Sequence, residues 1–140
     1  MLDNSAWART LDGRVTGSAR KHFEHALASG ELWTCSPGLL EMRFSARDRE
    51  GFLGAGRELS ALPYASLTAA AADAAVQAQE ELAVASGVSH RVKPVDLLIA
   101  AVAASEGLGV LHYDGDYDTI AEHTSLRFVS VWVAPKGSID

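Results

Sequence analysis

Apolar and polar positions fall in alternating blocks along the chain, and the spacing within each block predicts strands and helices in turn. Leu2 precedes a polar cluster, Asp3-Asn4-Ser5, and then Ala6-Trp7-Ala8-Arg9. This reads as the end of a strand, a turn and a short helix. Residues 13–17 form a loop bounded by glycines. Phe23, Ala26 and Leu27 recur at helical spacing within 18–29, and Gly30 stops that helix. A short apolar run over 31–35 suits a buried strand. Ser36-Pro37 then opens a helix, with Ser36 as N-cap and Pro37 at the first helical position. It carries Leu39, Leu40, Met42 and Phe44 and reaches residue 46, and the charged stretch 47–59 is again helical. Residues 62–65 read as a short edge segment. An alanine-rich helix follows over 66–85, capped at Ser66 or Thr68, and then a basic loop over 87–93. Pro94 opens a helix over 95–105 that is apolar almost all round and therefore buried. Gly107 and Gly109 close it. A strand over 110–113, a turn over 114–118, a short helix over 119–123 and a last strand over 128–133 complete the pattern before a polar tail.

Strands alternating with helices from end to end predict an α/β protein, its parallel sheet covered by helices on both faces. No repeat or low-complexity linker divides the 140 residues, which suit one domain. We take 1–135 as that domain and 136–140 as a polar tail. In such sheets the site lies beyond the carboxyl ends of the strands. Asp3 and Asp114 each follow directly on a predicted strand, at that edge.

Composition narrows the class. Apolar residues make up 48% and charged residues 21%, a balance that excludes a disordered chain. The single cysteine, Cys35, excludes an internal disulfide framework and a paired-cysteine metal knot. Arg9, Asp12 and Arg14 arrive before any apolar run long enough for a signal peptide, and no window suits a membrane span. A cytoplasmic protein is expected. The net charge of −6 argues against a general nucleic-acid coat, which needs Lys and Arg to neutralise phosphate. It leaves a nuclease open, because carboxylates that hold metal ions count as negative until the metals bind.

Four acids stand in apolar surroundings: Asp3 in Met-Leu-Asp-Asn-Ser, Glu41 in Leu-Leu-Glu-Met, Asp96 in Pro-Val-Asp-Leu-Leu, and Asp114 after Val-Leu-His-Tyr. A lone carboxylate inside an apolar helix costs several kcal/mol unless it is paired or metal-bound. Each has an ordinary reading. Asp96 lies in the first turn of its helix, where it can cap free N–H groups. Glu41 can meet an arginine from elsewhere, since Arg43 is on the wrong side of the helix to serve it. The set is harder to dismiss, because acids at the ends of different elements can converge on one point. There they repel and raise each other's pKa. Hard divalent cations resolve this, and Mg²⁺ or Mn²⁺ suits an all-carboxylate site that activates water at a phosphodiester.

These residues resemble the PIN-domain ribonucleases, and within them the VapC toxins of bacterial VapBC toxin–antitoxin pairs. The matching pieces are Leu2-Asp3-Asn4-Ser5-Ala6-Trp7, Leu40-Glu41-Met42, 94–101 (Pro-Val-Asp-Leu-Leu-Ile-Ala-Ala) and 110–118 (Val-Leu-His-Tyr-Asp-Gly-Asp-Tyr-Asp). Order and spacing agree over nearly the whole chain. The resemblance implies a three-layer α/β/α sandwich around a parallel sheet of four or five strands. It implies a Mg²⁺- or Mn²⁺-dependent endoribonuclease acting on tRNA or rRNA, a homodimer, and inhibition by a VapB-type antitoxin. Asp3, Glu41, Asp96 and Asp114 match the family's catalytic quartet. Asp3, Asp96, Asp114 and Asp116, the last an additional acid, are the implied metal ligands. Ser5 matches the hydroxyl residue that supports the first acid. Two departures stand out: only two residues precede Asp3, and Asn4 replaces a common Thr.

Other residues read mostly as structure. Cys35, His112, Trp7, Trp33 and Trp132 are expected in the core, with Trp7 also able to line the cleft rim. His22 and His25 are expected on a solvated face. Arg91 and Lys93, in the loop before Asp96, read equally as solvated or as contacts to RNA phosphates. The charged run from Arg43 to Glu50 is expected to be a solvated face that could also touch RNA. Two rivals remain: a catalytically silent PIN-like module that only binds a partner, and an Asp-dependent phosphohydrolase suggested by Asp114-Gly115-Asp116. In the latter class the aspartate pair follows the first strand, whereas here it lies near the last.

Overall fold

The sheet is built from very short pieces. The computed structural model describes residues 1–85, 87 and 90–139. Val88 and Ser89 of the basic loop, and Asp140 at the end of the tail, lie outside the described residues. Strand β1 (Thr34–Cys35) pairs in parallel with β2 (Tyr64–Ala65), and β3 (Val110–His112) in parallel with β4 (Ser130–Trp132). Leu2 joins the two pairs. Its N–H donates to the Trp33 carbonyl at 2.8 Å, and it bridges in parallel to Leu111. The order across the sheet is therefore β2, β1, Leu2, β3, β4.

Side chains in extended backbone point alternately to the two faces, and that alternation separates two cores. Met1, Cys35 and Val110 face a core shared with α5 (Ala69–Val84), α6 (Pro94–Ser105) and α7 (Asp116–His123). Leu2, Leu111 and Val133 face the other core, shared with α1 (Asn4–Leu11), α2 (Gly17–Ala28), α3 (Ser36–Phe44) and α4 (Arg49–Leu59). Ala71, Ala75, Ala78 and Leu82 form the buried stripe of α5, and α6 is buried along almost its whole length, as its composition predicted. Gly109 sits where a Cβ would come 3.0 Å from the Val129 carbonyl, so a side chain there would press the approach to β4 apart by a few tenths of an ångström.

Two local expectations need correction, and one choice is decided. Ser36 is not the cap of α3. Cys35 occupies the N-cap position without a side-chain cap bond, Ser36 is already helical, and Pro37 still lies in the first turn. Helix α7 begins at Asp116, not at residue 119, because acids suit a helix N-terminus and Asp116 and Asp118 both fall in its first turn. Of the two possible caps on α5, Thr68 serves, its hydroxyl accepting from the Ala71 N–H at 3.1 Å. Trp7 is buried, whereas Trp33 and Trp132 are only half-buried. Leu27, Leu40 and Phe44 are exposed, Phe44 at 89%. His22 and His25 are exposed, as expected. The tail folds back onto the domain, with the Ile139 N–H donating to the Tyr113 hydroxyl at 2.9 Å.

Candidate active site

The acids of four different elements meet at one edge of the sheet. Asp3 stands at the N-cap of α1, immediately after the Leu2 bridge. Glu41 is on α3, Asp96 in the first turn of α6, and Asp114 and Asp116 at the turn from β3 into α7. Carboxylate oxygens of Asp3, Glu41 and Asp96 lie within 4.8 Å of one another, and so do those of Asp96, Asp114 and Asp116. Asp96 belongs to both groups and is the hinge of the cluster.

Two of these acids are tightly held. Asp3 Oδ2 accepts from the Ser5 hydroxyl and, at 2.8 Å, from the Ser5 N–H, while Asp3 Oδ1 accepts from the Tyr117 hydroxyl at 2.8 Å. Ser5 Oγ in turn accepts from the Tyr113 N–H at 2.8 Å, tying α1 to the end of β3. Asp114 Oδ1 accepts from the Asp116 N–H at 3.1 Å, and Oδ2 from Lys93 Nζ at 2.9 Å. Ser5 thus supports the first acid as its position implied. Tyr117 was not foreseen, because a helix starting at 119 leaves it in a turn.

Glu41 and Asp96 each keep one buried oxygen, Oε2 and Oδ2, that no hydrogen bond satisfies among the described residues. Asp96 lies in the first turn of α6, where the helix dipole favours an anion, but Lys93 occupies the N-cap and no side-chain cap bond forms there. Glu41 receives no help from Arg43, whose guanidinium packs over Phe52 at 5.7 Å. Lys93 Nζ is 3.7 Å from Asp96 Oδ2, an ion pair but not a hydrogen bond.

The charge states follow. Burial pushes the Asp96 carboxyl up to about 7, against the pull of Lys93 and with Asp3, Asp114 and Glu41 adding to the rise. Burial, then Asp3, raises Glu41, and burial, then Asp114, raises Asp116. Burial also acts to raise Asp114, but the Lys93 hydrogen bond and the Asp116 N–H outweigh it and hold the carboxyl low. The same contact raises Lys93, which stays an ammonium. Burial, then Asp3, lifts Tyr117 well above its ordinary range, so its hydroxyl remains a donor to Asp3. Orphaned, mutually repelling carboxylate oxygens of hard donor type are what a divalent cation satisfies, and these residues fit one. Lys93 lies at the edge of this cluster, and Arg91 is exposed two residues before it.

Comparison with known proteins agrees. The chain matches the PIN domain family over residues 1–123. It is 32% identical to Ribonuclease VapC18 of Mycobacterium tuberculosis over 139 residues, covering 99% of this chain and 97% of that protein. It is 44% identical to Ribonuclease VapC2 of the same species over 130 residues, covering 91% and 88%. Its fold superimposes on a DNA-bound VapBC structure from Salmonella typhimurium with a TM-score of 0.72 at 21% identity, over 96% of this chain and 97% of that one. The chain belongs to the PIN-domain family, among its VapC ribonucleases.

Proposed function

We propose that the acidic cleft hydrolyses RNA phosphodiester bonds with Mg²⁺ or Mn²⁺ held by Asp3, Asp96, Asp114 and Asp116, and with Glu41 completing the catalytic set. The protein is the toxin of a type II toxin–antitoxin system and a PIN-type endoribonuclease. The observation that carries the assignment of the cleft is the pair of buried, unpartnered oxygens on Glu41 and Asp96 beside the other acids. A divalent cation bound there would lower the pKa of water and offset the charge of a phosphodiester. Ser5 and Tyr117 fix the orientation of Asp3, and the Asp116 N–H fixes that of Asp114. Lys93 and Arg91 form a basic lip that meets substrate phosphates.

Residues 1–135 act as one catalytic domain, and among the described residues no helix is long and apolar enough to cross a membrane. The reading includes a cytoplasmic homodimer, tRNA or rRNA as substrate, and a VapB-type antitoxin. The antitoxin would lay an apolar segment over α2 and α3, where Leu27, Leu40 and Phe44 are exposed. It would project an arginine towards Glu41, Asp96 and Asp114, since a guanidinium pairs bidentately with carboxylates.

RNA cleavage should vanish in excess EDTA, return with Mg²⁺ or Mn²⁺, and leave 5′-phosphate and 3′-hydroxyl ends. Cleavage that persists in EDTA, or 2′,3′-cyclic phosphate products, would overturn the mechanism.

A further inference from the structure

His112 is fully buried on β3, two residues before Asp114. Its ring makes two hydrogen bonds of opposite sense. Nδ1 accepts from the Asp114 backbone N–H at 3.1 Å. Nε2 lies 2.6 Å from Ser130 Oγ, on the neighbouring strand β4. Ser130 Oγ lies 2.6 Å from Asp118 Oδ1 on α7, and both Asp118 oxygens accept from Trp132 Nε1 at 3.1 Å. Lys136 Nζ stands 3.7 Å from Asp118 Oδ2.

The chemistry of the partners fixes the direction of every bond. A backbone N–H can only donate, so Nδ1 carries no proton. An ionised carboxylate can only accept, so Ser130 gives its one hydrogen to Asp118. Ser130 Oγ must then accept, and Nε2 supplies the proton. One tautomer satisfies the whole chain, and the ring cannot turn without breaking both contacts.

We infer that His112 is a positioning residue for Asp114: anchored through Ser130 to Asp118, it holds the Asp114 backbone so that the carboxylate points at the cleft. The inference rests on Asp114 being a metal-holding acid. It explains why a polar ring occupies a fully buried position at the end of a strand whose other residues are apolar. Three elements meet in it, since β3 carries His112 and leads into the turn that holds the acid, β4 carries Ser130 and Trp132, and α7 carries Asp118. A group that holds a metal ligand in place commonly accounts for about 10–100-fold in metal affinity when removed.

The test compares two replacements of nearly equal size. His112→Asn keeps an oxygen acceptor close to where Nδ1 sits, whereas His112→Leu keeps the volume and removes the acceptor. Mn²⁺ affinity is measured by calorimetry without RNA, beside melting in EDTA, with Asp114→Asn as control. We expect His112→Leu to bind Mn²⁺ at least about tenfold more weakly than wild type, and His112→Asn to stay within about threefold. Affinity should not follow the melting temperatures. Equal losses in both variants, or wild-type affinity in His112→Leu, would overturn the inference while leaving the site reading intact. Wild-type affinity in Asp114→Asn would overturn both. If His112→Leu does not fold, Ser130→Ala cuts the same relay one bond further out. Mn²⁺ binding weaker by about tenfold supports the inference, and binding within about threefold of wild type overturns it.

Discussion

Replacing Asp96 by asparagine removes one charge from the point shared by both acid groups and changes almost nothing in shape. The side chain is 3% exposed, and its Oδ2 has no hydrogen-bond partner. Its folded-state pKa is raised to about 7, against about 3.9 in an unfolded chain. The neutral form therefore favours folding and the ionised form opposes it. The contribution is fully present below about pH 4 and is lost as pH rises through about 7. That gap corresponds to a ceiling of about 4 kcal/mol at pH 8, of which structural relaxation and water entry should leave about 1–2 kcal/mol. In EDTA, Asp96→Asn should melt about 3–6 °C above wild type at pH 8 and within about 1 °C of it at pH 4.5. With Mg²⁺ or Mn²⁺ and an RNA substrate, the same variant should lose at least about a hundredfold in rate, since a neutral amide is a poor ligand for a hard cation. Thermal melts at the two pH values and a cleavage time course check both halves. A thermal gain equal at pH 4.5 and pH 8 would show that a buried charge is not its source. Near wild-type cleavage would remove Asp96 from the machinery.

Four further outcomes follow from the same geometry. Mn²⁺ at about a hundred times its Kd should stabilise the wild type by about 2.7 kcal/mol in a melting scan, and Asp96→Asn should show little of that gain. Tyr117→Phe strips Asp3 Oδ1 of its donor; a cost of about 1–3 kcal/mol in denaturant unfolding is expected, together with weaker metal binding. Lys93→Met should raise KM for RNA more than it lowers kcat. It should also flatten the dependence of log KM on log salt by about 0.7, the loss of one phosphate contact on a single strand. An antitoxin whose cleft-facing arginine is changed to alanine should still form the complex by native gel while nuclease activity partly returns.

Helices and acids were easier to read in the sequence than the sheet. The acids stood out because a carboxylate in Leu-Leu-Glu-Met or Pro-Val-Asp-Leu-Leu conflicts with its surroundings, and burial of Glu41 and Asp96 beside unpartnered oxygens is that same conflict in space. Helix α6 was legible because it is apolar all round. Strands of two or three residues carry no usable period, so the apolar run over 31–35 contracts to Thr34–Cys35 and that over 128–133 to Ser130–Trp132. The Asp-Gly-Asp segment reads locally as a turn, yet the acids also favour a helix start, and the helix prevails from Asp116. That choice turns Tyr117 inward to Asp3. The relay from Asp118 through Ser130 to His112 joins residues on three elements, and no spacing rule connects them.

The first acid is aimed by a very short extended piece. A parallel strand normally holds its register through several residues, and a slip by one would turn every side chain to the opposite face. Met1 and Leu2 are held by hydrogen bonds to the neighbours on both sides. The Leu2 N–H binds the Trp33 carbonyl at 2.8 Å, the Leu111 N–H binds the Met1 carbonyl at 2.8 Å, and the Asp3 N–H binds the Leu111 carbonyl at 3.0 Å. The side chains reinforce the register, with Met1 in one core and Leu2, fully buried, in the other. A slip would exchange those two cores and swing Asp3 off the N-cap of α1, parting it from Ser5 and Tyr117. Neighbours on both sides of Leu2 and cores on both faces thus aim the first acid, because they forbid the alternatives.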